Sequence, residues 1–193
     1  MPLTHVDDVA ALVVIDMQRG IVALPTAHPV SEVTERIARL ARAFRERSLP
    51  VVLVNVAGLA PGRVGEPLRF SPPPDWTELI PELDRQPTDY VVTKQQIGAF
   101  YGTGLEQVLR RRGVTQTFFA GIATSSGVEA TARTAYDHGY NVVLVVDAMT
   151  DVSADAHNHS VSYTFPRIGE TSSTDEAVST ITASVRLGAA ITQ

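Results

Sequence analysis

The sequence contains no cysteine. This absence excludes disulfide bonds, thiolate metal sites and catalysis by a cysteine nucleophile. Long apolar runs are also lacking, because the run at residues 10–15 is far too short to span a membrane. The acidic start of the chain does not resemble a signal peptide. Since the formal net charge is −5, neither a nucleic acid nor a membrane is an expected partner. We therefore expect a cytoplasmic protein.

Lysine is almost absent. Of the 16 basic residues, Lys94 is the only lysine. A GC-rich genome would explain why lysine is rare, but not why one remains at this position. A lysine ammonium is a compact charge whose pKa responds to burial, whereas an arginine stays charged near neutral pH. Lys94 is therefore a candidate functional residue.

Strand-like and helix-like segments alternate along the chain, and its 193 residues fit a single domain over 1–193. The apolar pattern predicts strands at 10–16, 50–56, 89–93, 116–122, 141–147 and 167–170. Helices are predicted at 31–47, 103–112, 126–138, 153–165 and after residue 173. Prolines interrupt 58–88, where only a short helix at 76–83 is expected. This order predicts an α/β fold with a parallel sheet covered on both faces.

Polar residues follow several of the predicted strands. Asp16 ends the first strand, Lys94 the third and Asp147 the fifth. Because ligands bind outside the carboxyl ends of parallel strands, Asp16 and Lys94 are expected to meet at one rim. Asp16 could instead cap a helix or fix a loop, and Asp147 is expected to stabilise a turn.

The loop at 123–127 follows the fourth predicted strand. Ser126 and Glu129 have the spacing of a capping box that opens the next helix. Free backbone N–H groups at such a helix start could hold an anion or a developing oxyanion, and Gly127 leaves room beside the backbone. Serine catalysis is not favoured because no neighbouring histidine is evident, and the five histidines are expected mostly at the surface.

Three segments together resemble the isochorismatase-like hydrolases, which include nicotinamidases, N-carbamoylsarcosine amidase and isochorismatases. They are VIDMQ at 14–18, Lys94 with AFYGT at 99–103, and GIATSSGVEATA at 121–132. The likeness in order and spacing runs from about residue 8 to residue 175. It implies a three-layer fold, in which helices flank a six-stranded parallel sheet of Rossmann-like topology. It also implies a non-proline cis peptide between Ile122 and Ala123 and a homo-oligomer.

The resemblance assigns catalytic roles by position. The family's aspartate falls on Asp16 and its lysine on Lys94, while the amidases' nucleophilic cysteine falls on Gly127. Isochorismatases resemble this sequence in carrying glycine there. They hydrolyse a vinyl ether without a covalent enzyme intermediate, since the aspartate protonates the vinyl carbon, water adds to the oxocarbenium ion and pyruvate leaves. We therefore expect a small-molecule hydrolase with Asp16 as general acid, positioned by Lys94.

Other residues are expected to contact the substrate. They are Gln18, Phe100, Tyr101, Ala123, Thr124 and Ser126, with Arg63 and Arg69 as candidate ligands for a carboxylate. The glutamine that isochorismatases present after their second strand has no obvious counterpart. Since the metal-binding pattern of nicotinamidases is also missing, neither a metal nor a cofactor is expected.

Two alternatives remain open from the sequence. The chain could hydrolyse an amide-like bond by direct attack of water, or it could be an inactive descendant that binds a small ligand. Loss of the nucleophile favours the inactive binder. Retention of both Asp16 and Lys94 favours an enzyme.

Overall fold

The computed structural model describes residues 1–64 and 72–190, with side chains described as far as residue 183. Arg69, a predicted carboxylate ligand, lies outside the described residues. Six parallel strands form one sheet in the order β3-β2-β1-β4-β5-β6, which confirms the predicted fold. They are β1 (Ala10–Ile15), β2 (Val51–Val56), β3 (Tyr90–Lys94), β4 (Gln116–Ile122), β5 (Asn141–Thr150) and β6 (Glu170–Ser172).

Helices connect the strands and cover both faces of the sheet. They are α1 (Arg19–Val22), α2 (Val30–Glu46), α3 (Leu105–Arg111), α4 (Glu129–Asp137), α5 (Ala154–His159), α6 (Phe165–Ile168) and α7 (Thr174–Ala190). The segments Thr124–Val128 and Ser160–Thr164 are π-helical turns. The helix predicted at 76–83 reduces to a 3₁₀ turn, Pro81–Leu83. Among the described residues, no helix is both long and apolar enough to cross a membrane.

Two apolar layers sandwich the sheet. Alternate residues of β1 point to opposite faces, so that Leu12 packs with α2 on one side and Val13 packs with α3 and α4 on the other. β1 and β4 are buried along their whole length. Burial on both faces explains why these strands read as continuous apolar runs rather than as alternating ones.

The strand order reverses between β1 and β4, and this switch point creates the crevice in which open α/β sheets bind ligands. The two strands approach closely there because Gly121 has a φ of +118°. A Cβ on Gly121 would lie 2.1 Å from the Ile15 carbonyl oxygen. Only glycine therefore permits this contact, which fixes the end of β1 immediately before Asp16.

β5 is longer than the sequence predicted. Its register against β4 shifts between Phe119 and Gly121, and the strand continues to Thr150 instead of ending at 147. Asp147 therefore lies within the strand. Its carboxylate accepts hydrogen bonds from the N–H and the hydroxyl of Thr174, at 2.7 and 2.9 Å, which anchors the start of α7. The role of Asp147 is thus structural, as expected, but it anchors a helix and does not stabilise the predicted turn.

Substitution of Gly121 by alanine tests this close approach. We expect Gly121→Ala to lower the free energy of unfolding by about 3 kcal/mol or more, through strain at positive φ and the clash with Ile15. Gly113→Ala is the matched control, because Gly113 also has a positive φ (+67°) but no atom near its Cβ position. It should cost only about 1–2 kcal/mol. Urea denaturation measures both values. Equal losses of unfolding free energy in the two variants would show that the clash with Ile15 does not matter.

Candidate active site

Asp16 occupies the first position after β1. Its N–H donates to the Val54 carbonyl of β2 at 2.9 Å, and its backbone takes a left-handed φ of 51°. Aspartate tolerates this region better than most residues do. The strand end thereby directs a carboxyl group, only 6% exposed, to the rim of the sheet.

Lys94 closes β3, with β2 between it and β1. Since neighbouring strands lie about 4.8 Å apart, a side chain must reach over about 10 Å to meet Asp16. The long lysine stem makes this possible, and Nζ lies 2.7 Å from Oδ2 of Asp16. Lys94 is 3% exposed. The structure thus brings together the two residues that the sequence placed at one rim.

Burial and the ammonium of Lys94 act on Asp16 in opposite directions. Burial raises the pKa of the carboxyl group from 3.8 to about 6, although the charge and hydrogen bond of Lys94 lower it. Within the described part of the chain, Oδ1 of Asp16 is buried without a hydrogen-bond partner. An unpaired charged oxygen is costly in such a place, so Asp16 takes up a proton at a higher pH than an exposed aspartate does.

Gly127 lies directly against this ion pair. A Cβ on it would lie 3.3 Å from Oδ2 of Asp16, 3.5 Å from Nζ of Lys94 and 3.0 Å from Cγ2 of Ile15. A side chain at this position would therefore lie against both charged groups. Because glycine has none, no side chain of residue 127 contacts the two charged groups.

The turn that carries Gly127 is not held by the predicted capping box. Ser126 makes no side-chain cap, and the carboxylate of Glu129 instead binds Arg133 at 2.9 Å and Ser160 at 2.6 Å. The backbone forms a π turn in which the Ala123 carbonyl accepts from the N–H groups of Ser126 and Val128, both at 3.1 Å. The helix continues through residues 124–137, so the capping box predicted at its start is wrong. The cis peptide expected between Ile122 and Ala123 is present.

Asp151 and Thr131, which the sequence did not single out, hold this turn in place. Asp151 is 2% exposed, and its Oδ2 accepts from the N–H and the hydroxyl of Ser125, both at 2.8 Å. The Thr131 hydroxyl donates to the Gly127 carbonyl at 2.6 Å and accepts from the Ala99 N–H at 3.1 Å. Asp151 could have been found only if the end of β5 had been placed at Thr150.

The histidines lie mostly at the surface, as expected, and His157 is the exception. It is 7% exposed, and its Nδ1 lies 2.9 Å from the hydroxyl oxygen of Thr124, which is itself fully buried. The other four histidines are not buried. A histidine therefore lies next to the loop at 123–127, which the sequence did not show, but it contacts Thr124 and not a serine.

Gln18 and Phe100, two predicted substrate ligands, make contacts within the protein. The Gln18 amide accepts from the Val56 N–H at 2.7 Å and donates to the carbonyls of Val56 and Trp76, at 2.9 and 3.0 Å. The Phe100 ring packs 5.1 Å from His138 and 6.3 Å from Tyr140, towards the amino ends of the strands. Contact of either side chain with a substrate stays a prediction.

Tyr101 and Arg63 lie on the surface. Tyr101 is 84% exposed in the loop after β3, and Arg63 is exposed in the segment after β2. Of the predicted substrate residues, Ala123 and Thr124 are those that belong to the turn beside the ion pair, together with the exposed Ser126. Contact of Tyr101 or Arg63 with a substrate stays a prediction.

A cavity elsewhere in the structure does not offer comparable chemistry. It measures about 550 Å³ and lies at the amino ends of β2 and β3, lined among others by Arg45, Asp89 and Tyr90. Arg45 and Asp89 are bound to each other at 2.7 Å. Among the described residues, no cluster of histidine, aspartate and glutamate could hold a metal ion.

Comparisons with known proteins point to one family. The family model described as isochorismatase domain matches residues 10–176. The chain is 40% identical over 175 residues to the isochorismatase family protein YwoC of Bacillus subtilis (strain 168), covering 86% of this chain and 90% of that protein. It is 40% identical over 182 residues to YecD of Escherichia coli O157:H7, covering 89% and 95%. Its fold is similar to that of a solved isochorismatase family protein from Burkholderia thailandensis, with 41% identity, a TM-score of 0.86 and coverage of 92% and 97%.

The pH dependence of stability tests the state of Asp16. The carboxyl pKa is about 6 in the folded protein, above its ordinary value of 3.8. The folded state therefore binds the proton more tightly than the unfolded state does, and protonation of Asp16 stabilises the fold. This contribution to the unfolding free energy is fully present below about pH 4 and is lost as the pH rises through 6. Relative to Asp16→Asn, which cannot titrate, the wild type should lose about 2–3 kcal/mol of unfolding free energy between pH 4 and 7. The unfolding free energies of both proteins would be measured by urea denaturation. A difference between them that stays constant from pH 4 to 7 would contradict the raised pKa.

Proposed function

The chain belongs to the isochorismatase family of hydrolases, and on that premise we propose that it hydrolyses an enol ether of a small molecule without a covalent enzyme intermediate. Asp16 is the general acid, Lys94 orients it, and the substrate's reacting carbons lie in the space beside Gly127. The observation that carries the proposal is the glycine at 127, whose Cβ position lies 3.3 Å from the carboxyl group of Asp16.

Proton transfer from Asp16 is the first step. With a pKa of about 6, roughly a tenth of the Asp16 groups carry a proton at pH 7. This proton passes to the terminal vinyl carbon, where the π electrons form the new C–H bond. The positive charge that remains is shared between the adjacent carbon and the ether oxygen as an oxocarbenium ion.

Lys94 acts on the carboxylate that this step creates. Its ammonium, 2.7 Å from Oδ2, stabilises the negative charge as it develops and holds the carboxyl group in a fixed orientation. An acid in a merely apolar site would keep its proton, whereas an acid beside an exposed cation would have lost it already. Burial and Lys94 together bring the pKa into the range in which a general acid is effective near neutral pH.

Water completes the reaction. It adds to the electrophilic carbon of the oxocarbenium ion and returns a proton to the Asp16 carboxylate. The resulting hemiketal breaks its C–O bond and gives an alcohol and a ketone, which is pyruvate when the substrate is a carboxyvinyl ether. One water is consumed, and the acid is regenerated. Since the chain has no cysteine, no thiolate competes with water as the nucleophile.

A panel of substrates tests the reaction type. Isochorismate, simple carboxyvinyl ethers, amides and carbamates would be incubated with the protein, while pyruvate and ammonia are measured. We expect pyruvate release, lowered at least about a hundredfold in Asp16→Asn because the general acid is lost. Asp175→Asn is the matched control, since Asp175 pairs with Arg39 on the surface. It should keep the wild-type rate.

Two results of this panel would reject the enol-ether reaction. One is ammonia release that disappears in Asp16→Asn, which would indicate amide hydrolysis by water. The other is the absence of turnover on every substrate while the protein remains folded, which would favour a ligand-binding protein without catalysis.

A further inference from the structure

One segment supports the first residues of the turn that presents Gly127, in addition to the bond from the Thr131 hydroxyl to the Gly127 carbonyl. Residues 151–157, between β5 and the middle of α5, contribute both Asp151 and His157. Asp151 binds the backbone and side chain of Ser125, whereas His157 binds the side chain of Thr124. Thr124 and Ser125 are the first two residues of the turn. The position of Gly127, three residues after Thr124, therefore depends on this support.

The bond between His157 and Thr124 is buried. Thr124 is fully buried and His157 is 7% exposed. The ring of His28 lies edge-on to that of His157, with centroids 4.6 Å apart, and His28 is in turn held by the hydroxyl of Thr150 at 3.1 Å. A buried hydroxyl that loses its partner is costly, so the Thr124 side chain cannot move away from His157 without penalty.

The charge state of His157 suits this role. Burial lowers the pKa of the imidazole, His28 lowers it further, and Asp151 raises it by a smaller effect. The ring is therefore neutral at neutral pH and presents one nitrogen to Thr124. The ring of His28, whose centroid lies 4.6 Å away, packs edge-on against that of His157 and restricts its orientation.

Small movements of the turn matter because Gly127 is tightly enclosed. Its Cβ position is 3.0 Å from Ile15 and 3.3 Å from Asp16, so a shift of a few tenths of an ångström changes the space that a substrate atom can occupy. A misplacement of about 1 Å costs on the order of a hundredfold in rate. From these contacts we propose that His157 is a positioning residue, which acts through Thr124 to set the distance between Gly127 and the Asp16–Lys94 pair.

This inference rests on the proposed function, but one of its readouts does not require turnover. The variants are His157→Phe, which keeps the ring and removes the nitrogens, and Thr124→Val, which keeps the shape and removes the hydroxyl. His157→Asn places an amide at about the position of Nδ1 and can bind Thr124 in either hydrogen-bond direction. His159→Phe is the matched control on the exposed side of the same helix.

The measurements are kcat and KM for enol-ether hydrolysis, and the amide resonance of Gly127 in ¹H–¹⁵N spectra. We expect His157→Phe and Thr124→Val each to lower kcat about tenfold to a hundredfold, with KM changed less than about twofold. The double variant should be no slower than either single one, because both remove the same bond. His157→Asn should restore kcat to within about threefold of the wild type, and His159→Phe should change nothing.

The Gly127 resonance decides the inference even if no enol ether is hydrolysed. It should shift in the same direction in His157→Phe and Thr124→Val and return in His157→Asn. If His157→Phe does not fold, Thr124→Val and His157→Asn carry the comparison. An unmoved Gly127 resonance in Thr124→Val, additive losses in the double variant, or a folded His157→Asn that is as slow as Thr124→Val would overturn the positioning role. Absence of turnover in the wild type would reject the proposed function alone.

Discussion

The structure depends on a carboxyl group and an ammonium that are buried together at the carboxyl end of the sheet. Removing two charges from water is expensive, and their attraction repays the cost only with good geometry. The contact of 2.7 Å between Asp16 and Lys94 supplies that geometry for one oxygen and leaves the other without a partner among the described residues. The pair therefore contributes little to stability, and burial raises the pKa of Asp16 in spite of Lys94.

Two glycines create the conditions for this pair. Gly121 lets β4 approach β1 so closely that the end of β1, and with it Asp16, is fixed. Gly127 places no side chain against the two charges. Because β2 lies between β3 and β1, a residue at the end of β3 needs a long side chain to reach Asp16. The positive φ of Gly121, the missing side chain of Gly127 and the long side chain of Lys94 together determine the surroundings of Asp16.

Much of this could be predicted from local patterns. Apolar runs located the buried strands, and the carboxyl-end rule brought Asp16, Lys94 and the loop at Gly127 to one rim. The supporting contacts could not be predicted, because they depend on register. β5 runs past Asp147, so the residue that holds the loop is Asp151. Likewise, His157 lies on a short polar helix, and nothing in its sequence neighbourhood shows that it is buried behind Thr124.

The central claim is that burial outweighs the charge of Lys94 at Asp16, so that a general acid exists near neutral pH. Titration of the Asp16 carboxyl carbon by ¹³C NMR measures this balance directly. The account predicts a midpoint of about 6, and a higher midpoint in Lys94→Gln, where the ammonium that lowers the pKa is gone. A midpoint at or below the ordinary value of 3.8 would show that Lys94 dominates, and Asp16 could not then deliver a proton at neutral pH.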